Sequence, residues 1–286
     1  MNILITGAGG FIGKHLGNAL KQNHNIINIY NGELFVKDYL NYSCDLLNTN
    51  HINSFLSENL DIDIIIHTAS KLGASRDNEE LSIFYENIKM YDNLAIIIKH
   101  FKPFKVINFS SIAVYPNKNG HYFEDSEIRP SVNTEGMYGL SKFCGENILD
   151  FLHKQFKIVH LRIAQVYGEG MREDRIFKVM QQELKQTNII TVFAEGLRVS
   201  NFIHIDTLIE KVILFINCEV SGIFNIGEKN LSYKDLALNI IELYGNSDSK
   251  INLIKEGVSS KCYINTDKLK EFESKCMSGD NDEQAK

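Results

Sequence analysis

The chain has no block of lysine and arginine, no CxxC pair and no internal repeat. Its 30 basic residues are scattered among 36 acidic ones, for a net charge of −6. A nucleic-acid partner or an anionic membrane surface calls for clustered positive charge, so neither is expected. No apolar run approaches the roughly 20 residues of a membrane helix. The stretch at 208–216 is short and interrupted by Glu210 and Lys211. The first apolar run is also too short for a signal peptide and enters a glycine-rich turn, so it reads as a strand. The five cysteines (Cys44, Cys144, Cys218, Cys262 and Cys276) are odd in number and lack metal-ligand spacing. That argues against a zinc site and a disulfide framework, and for a reducing cytoplasm.

What is present is an alternation. Asn2–Thr6 is a β-branched run, followed by TGAGGFIG and a helical pattern over 14–22. Strands follow near 26–30, 62–66, 105–109 and 158–163, with helical stretches at 51–59, 82–101 and 138–156. Strands alternating with helices predict an α/β protein with a doubly wound parallel sheet, a Rossmann fold, whose crossovers are right-handed. Past residue 166 the regularity falls. The division expected is a dinucleotide-binding domain over 1–165, with 200–227 returning to it. A smaller C-terminal α/β substrate-binding part covers 166–276, and 277–286 (MSGDNDEQAK) forms a flexible polar tail.

Gly7, Gly10 and Gly13 stand between a strand and a helix, with Phe11 and Ile12 inside the loop. Glycine there allows the tight turn, the approach of backbone to a pyrophosphate and close helix–strand packing. The helix N-terminus offers free N–H groups to the phosphates. An NAD-preferring fold of this kind ends its second strand on an acid that bonds the ribose. Here Tyr30, Asn31 and Gly32 fill that place, which leans toward NADP over NAD, with Lys14 and Lys37 as candidates for the extra phosphate.

In YGLSK, Tyr138 and Lys142 lie four apart on one helix face. A phenol ionises near pH 10, and a neighbouring ammonium favours the phenolate. Such a tyrosine can exchange a proton with a substrate oxygen while hydride moves. Ser110 and Ser111 end a strand on the side where doubly wound folds bind ligands.

In order, TGAGGFIG, HTAS (residues 67–70), FSSIAVY, YGLSK, LRIAQVYG and NFIHID resemble the extended short-chain dehydrogenase/reductases, the nucleotide-sugar epimerase/dehydratase family, over roughly residues 1–227. The resemblance implies a catalytic set of Ser111, Tyr138 and Lys142, with Tyr138 as acid/base, Lys142 on the nicotinamide ribose and Ser111 on the reacting oxygen. It implies cofactor contacts at Asp45 and Leu46 beside the adenine and at Thr68, Ala69 and Ser70 along the pyrophosphate and ribose, with Asn87 behind the site. Gln165 stands where many members place an asparagine that touches nucleotide phosphates. Ser200 stands where many carry an arginine, with Arg198 a replacement two residues away. Arg172 and Arg175 are candidates for a diphosphate clamp; the alternative for that charged loop is a solvated turn. His67, His204 and Arg162 read as packed or paired residues, and Cys144 as packing. Members also dimerise through two helices, which fits 82–101 and 138–156.

Ile112 and Ala113 follow Ser111, where 4,6-dehydratases carry an Asp-Glu pair and certain epimerase-reductases a cysteine. The reading that remains first is an NAD(P)H-linked 4-ketoreductase of a 4-keto-6-deoxy sugar nucleotide. The second is a UDP-hexose-type 4-epimerase. A non-catalytic NAD(P)-binding sensor is the third, disfavoured because tyrosine and lysine are both kept.

Overall fold

A computed structural model of the 286-residue chain describes residues 1–31, 39–73, 80–152 and 155–278. The first half runs β1 (Asn2–Thr6), α1 (Phe11–Leu20), β2 (Asn25–Tyr30), β3 (Leu40–Ser43), α2 (Thr49–Leu56), β4 (Ile64–His67), α3 (Leu81–Phe101), β5 (Lys105–Ser111), β6 (Gly120–Tyr122), α4 (Gly136–Asp150) and β7 (Lys157–Ile163). The second runs β8 (Gln165–Tyr167), α5 (Ile176–Thr187), β9 (Ile189–Val192), β10 (Val199–His204), α6 (Ile205–Asn217), β11 (Gly222–Ile226), β12 (Lys229–Ser232), α7 (Tyr233–Tyr244), β13 (Lys250–Leu253), β14 (Cys262–Ile264) and α8 (Asp267–Ser278).

Seven strands form one sheet in the order β11-β7-β5-β4-β1-β2-β3. Every neighbouring pair in it is parallel. The sheet is buried on both faces, so its strands are continuous apolar runs. Side chains still alternate: Ile3, Ile5, Ile64 and Ile66 join a core with Leu16, Leu208 and Val212 of α1 and α6. Leu4 and Ile65 join the opposite core with Phe55, Leu94 and Leu149 of α2, α3 and α4. Each such buried side chain contributes on the order of 1.5–3 kcal/mol. Strand order reverses between β1 and β4, which opens a crevice at their C-terminal ends.

A third core gathers Phe177, Met180 and Leu184 of α5, Ile190 of β9, Phe202 of β10 and Leu236 of α7. Within the expected return of 200–227, α6 and β11 join the core of the large sheet, and β10 takes another course. Strand β10 pairs with β8 and β12 in a separate three-stranded sheet, and only β11, after α6, joins the edge beside β7. Two elements escape the periodicity. The edge strand β3 has no buried residue to mark it, and α7 is announced by a capping box, Ser232 with Asp235. Met277 and Ser278, expected in the tail, belong to α8; 279–286 lie outside the described residues, as do Gly32 and Lys37.

The cysteine reading needs one correction: Cys218, after α6, and Cys276, in α8, are disulfide-paired. The chain brings residues 58 apart in sequence to a Cα separation of 6.4 Å by packing α8 against α6 and β11, which spacing alone could not announce. Cys44, Cys144 and Cys262 are free thiols. Among the described residues no helix is long and apolar enough to cross a membrane, and no group of acidic, histidine and cysteine side chains could hold a metal.

Candidate active site

A cleft of about 1990 Å³ opens at the reversal point, between the large sheet and the part built on α5, β10 and α7. Gly7, Gly10, Phe11, Ile12 and Gly13 form one wall, together with Thr68 and Ser70 after β4. Gly7 has a φ of +73°, and a Cβ there would lie 2.7 Å from the backbone of Ala69. A Cβ on Gly13 would fall 2.3 Å from the Gly7 carbonyl. Gly10 precedes α1, and no side chain caps that helix, so its first N–H groups face the cleft without an internal acceptor. This wall fits the phosphates of a dinucleotide.

Ser111, Tyr138 and Lys142 meet on the opposite wall. Helix α4 approaches the turn after β5 so closely that a Cβ on Gly139 would lie 2.1 Å from the Ala113 carbonyl. That approach carries Tyr138 to Ser111. The Ser111 and Ser70 hydroxyls both act on the phenol in the direction that favours its ionised form. Ser111 Oγ also accepts from the Ala113 N–H at 3.1 Å. That bond occupies one lone pair of the hydroxyl and leaves the serine's own proton available to donate. Lys142 is buried, donates to the Phe109 carbonyl at 2.8 Å, and lies 5.6 Å from the centre of the Tyr138 ring.

The electrostatics depart from the expectation of a phenol softened by its lysine. Burial pushes the Tyr138 phenol above its ordinary value; Glu135 adds to this, while Arg175 and the two serine hydroxyls work against it. Burial also draws Lys142 down to about 7, opposed by Glu146. Desolvation outweighs pairing at both groups.

The basic residues of the second half divide. Arg172 is paired with Asp174 at 2.6 Å, and Arg175 with Glu135 at 2.7 Å across the cleft mouth. Arg198 stacks on Tyr233 at 5.2 Å and has no carboxylate partner among the described residues. Gln165 donates to the Ser200 hydroxyl at 2.9 Å. These two residues, where the resemblance places an asparagine and an arginine, satisfy each other. Arg198 immediately precedes β10 and lines the cleft.

Some expected contacts stand outside the cleft lining. Tyr30 ends β2 and Asn31 follows it, and Lys14 is exposed in α1. Asp45 accepts from the Leu47 N–H at 2.9 Å, and buried Leu46 offers its carbonyl to Asn93. Ala69 lies behind Gly7. Asn87 is buried and braces the loop after β4, bonding Ser70, the Lys71 backbone and Ser141. His67 bonds Thr6 Oγ1 at 2.7 Å; burial, and Lys142 after it, hold its imidazole well below its ordinary value. Buried Arg162 forms a two-pronged pair with Glu146, and His204 caps α6. Glu135 and the Ser70 contact to Tyr138 were not foreseen; Glu135 lies only three residues before the tyrosine, but nothing in its spacing shows that it turns into the cleft.

A glycine cradle at the reversal of a doubly wound sheet, facing a Ser/Tyr/Lys cluster, defines a Rossmann oxidoreductase of the short-chain dehydrogenase/reductase type. The chain belongs to the NAD dependent epimerase/dehydratase family, whose profile matches residues 3–227. A putative UDP-glucose 4-epimerase of Methanocaldococcus jannaschii is 25% identical over 237 residues, covering 79% of this chain and 76% of that protein. A dTDP-D-glucose 4,6-dehydratase of Dictyostelium discoideum is 26% identical, covering 84% and 62%. Among solved structures, a UDP-glucuronic acid 4-epimerase from Bacillus cereus, in complex with UDP-glucuronic acid and NAD, matches with a TM-score of 0.79 and 26% identity, over 95% of this chain and 92% of that one.

Proposed function

We propose that this enzyme oxidises and reduces C4 of a nucleotide-activated sugar in a 4-epimerase cycle, with Tyr138 as acid/base. The observation that carries the reading is one phenol, Tyr138, lining one cleft with Ser70, Ser111, Lys142 and the glycine cradle. Ile112 and Ala113 supply no elimination acid or base beside it. The nicotinamide cofactor supplies the hydride acceptor and donor. Tyr138 takes the proton of the C4 hydroxyl and returns it, and Ser111 holds that oxygen. Lys142 orients the cofactor ribose. Arg198, which lines the cleft, stacks on Tyr233 and has no acidic partner among the described residues, serves the diphosphate. The volume of the cleft exceeds the roughly 300–1,000 Å³ of an ordinary ligand pocket, which suits a dinucleotide beside a nucleotide sugar. The 4-epimerases among the relatives support this order of readings.

The second reading is a 4-ketoreductase drawing on NADPH. It is favoured by the absence of a carboxylate after Tyr30. Incubation with UDP-hexoses and UDP-uronic acids, followed by chromatography of the sugars, decides between them. Interconversion of C4 epimers without net change in nicotinamide absorbance is expected. Consumption of NADPH with a 4-keto-6-deoxy sugar nucleotide, and no epimer formed, would move the assignment to the reductase. A homodimer through α3 and α4 belongs to the same reading; Tyr85 and Ile96 of α3 expose apolar surface for it. Sedimentation at the mass of one chain would remove it.

A further inference from the structure

A second phenol stands beside Lys142. Tyr91, in α3, is fully buried. Lys142 Nζ donates to its hydroxyl at 3.4 Å. From there a line of hydrogen bonds crosses β5 and β7. Tyr91 Oη donates to Asn108 Oδ1 at 3.1 Å. The Nδ2 of that amide donates to His160 Nδ1 at 3.0 Å. With Nδ1 accepting, the ring proton sits on Nε2, which donates to the Asp150 carboxylate at 2.9 Å. Asn108 and His160 are buried, whereas the Asp150 side chain is 52% exposed at the end of α4.

Every donor in this line points away from Lys142 and toward a carboxylate. The Tyr91 hydroxyl is thereby committed as a donor to Asn108, and its remaining lone pairs face the ammonium. The room for that ring comes from Gly145, where a Cβ would lie 2.2 Å from Tyr91 Cε2 and Cζ. We propose that Tyr91 is a positioning residue for Lys142, its hydroxyl held as an acceptor by the Asn108–His160–Asp150 line. The proposal rests on the reading of Lys142 as the partner of Tyr138.

The groups facing Lys142 come from every neighbouring element. They are His67 at the end of β4, Tyr91 of α3, Tyr138 and Glu146 of α4 itself, and Arg162 of β7 bound to Glu146. Glu146 favours the ammonium, and its charge is shared with Arg162. His67 stays neutral. Tyr91 Oη is the neutral side-chain oxygen in contact with Nζ, beside the nearer Phe109 carbonyl, so its loss falls on the charged form.

The test is the titration of Lys142 in the full chain without substrate. Lysine is labelled with carbon-13 at Cε, and the resonance is identified by its loss in Lys142→Arg. Tyr91→Phe keeps the ring and removes the oxygen; its midpoint is expected to fall by about one pH unit. Asp150→Asn, a surface change, is expected to move it the same way by less. An unchanged midpoint in folded Tyr91→Phe overturns the proposal. Should that variant not fold, an unchanged midpoint in Asp150→Asn does so. A shift in Tyr91→Phe alone overturns the extension to the surface. The readout needs no turnover, so failure of the 4-epimerase reading, seen as absent product in the wild type, is a separate result.

Discussion

At the scale of the residue, the site is governed by desolvation. Tyr138 is held above its ordinary pKa and Lys142 below its own, at about 7, chiefly by burial. The neutral phenol is the resting form of the site without cofactor; it is the donor of the reduction half of the proposed cycle, whereas the oxidation half needs the phenolate. Tyr138→Phe removes that proton and is expected to lower turnover by about 10²–10⁴-fold while NADH binding, followed by nicotinamide fluorescence, persists. Lys142 also has a consequence for stability. Its folded value lies below the ordinary 10.5, so between about 7 and 10.5 the unfolded chain binds the extra proton. Stability from this group therefore rises with pH across that window, by up to about 1.4 kcal/mol per unit, and its cost is fully present below it. Lys142→Met is expected to abolish turnover yet raise the urea midpoint, by more at pH 6 than at pH 9. A gain independent of pH would count against the buried ammonium as its source.

At the scale of the element, α4 carries the chemistry because it comes so near to its neighbours. Its register, YGLSK, is readable in the chain, as are the strand before it and the glycine loop. The distance of closest approach is not, since Gly139 and Gly145 meet partners 26 and 54 residues away in sequence. Two opposing effects act at Gly145. Alanine in a helix interior is favoured over glycine by about 1 kcal/mol. A methyl group 2.2 Å from the Tyr91 ring forces a repacking that costs about 1–3 kcal/mol. The clash is expected to win, so Gly145→Ala should lower the denaturation midpoint, and adding Tyr91→Ala should remove most of that coupling in a double-mutant cycle. Gly13→Ala, whose Cβ meets the Gly7 carbonyl, is expected to abolish NADH binding.

At the scale of the whole molecule, the cleft belongs to both halves. Arg175, just before α5, reaches Glu135, just before α4. Glu135 raises the Tyr138 pKa and Arg175 lowers it. Arg175→Gln is accordingly expected to move the phenol limb of the pH–rate profile upward, and Glu135→Gln to move it downward; shifts of the same sign would contradict the pairing. Arg198→Ala should weaken nucleotide-sugar binding roughly ten- to hundred-fold, the worth of a charged hydrogen bond, with NADH affinity unchanged. Calorimetry with UDP and with NADH separates the two.

Local pattern alone determined the alternation of strands and helices, the glycine turn at residue 7, and the Tyr138/Lys142 spacing. Each depends on neighbours within a few positions, where backbone sterics and side-chain period act directly. Only the tertiary structure decided that Ser70 joins Ser111 on the phenol and that Gln165 satisfies Ser200. The pairing of Arg172 and Arg175 with acids was decided there too. So was the meeting of Cys218 with Cys276. These contacts join segments far apart along the chain, and their geometry is set by how the large sheet and the third core pack around one crevice.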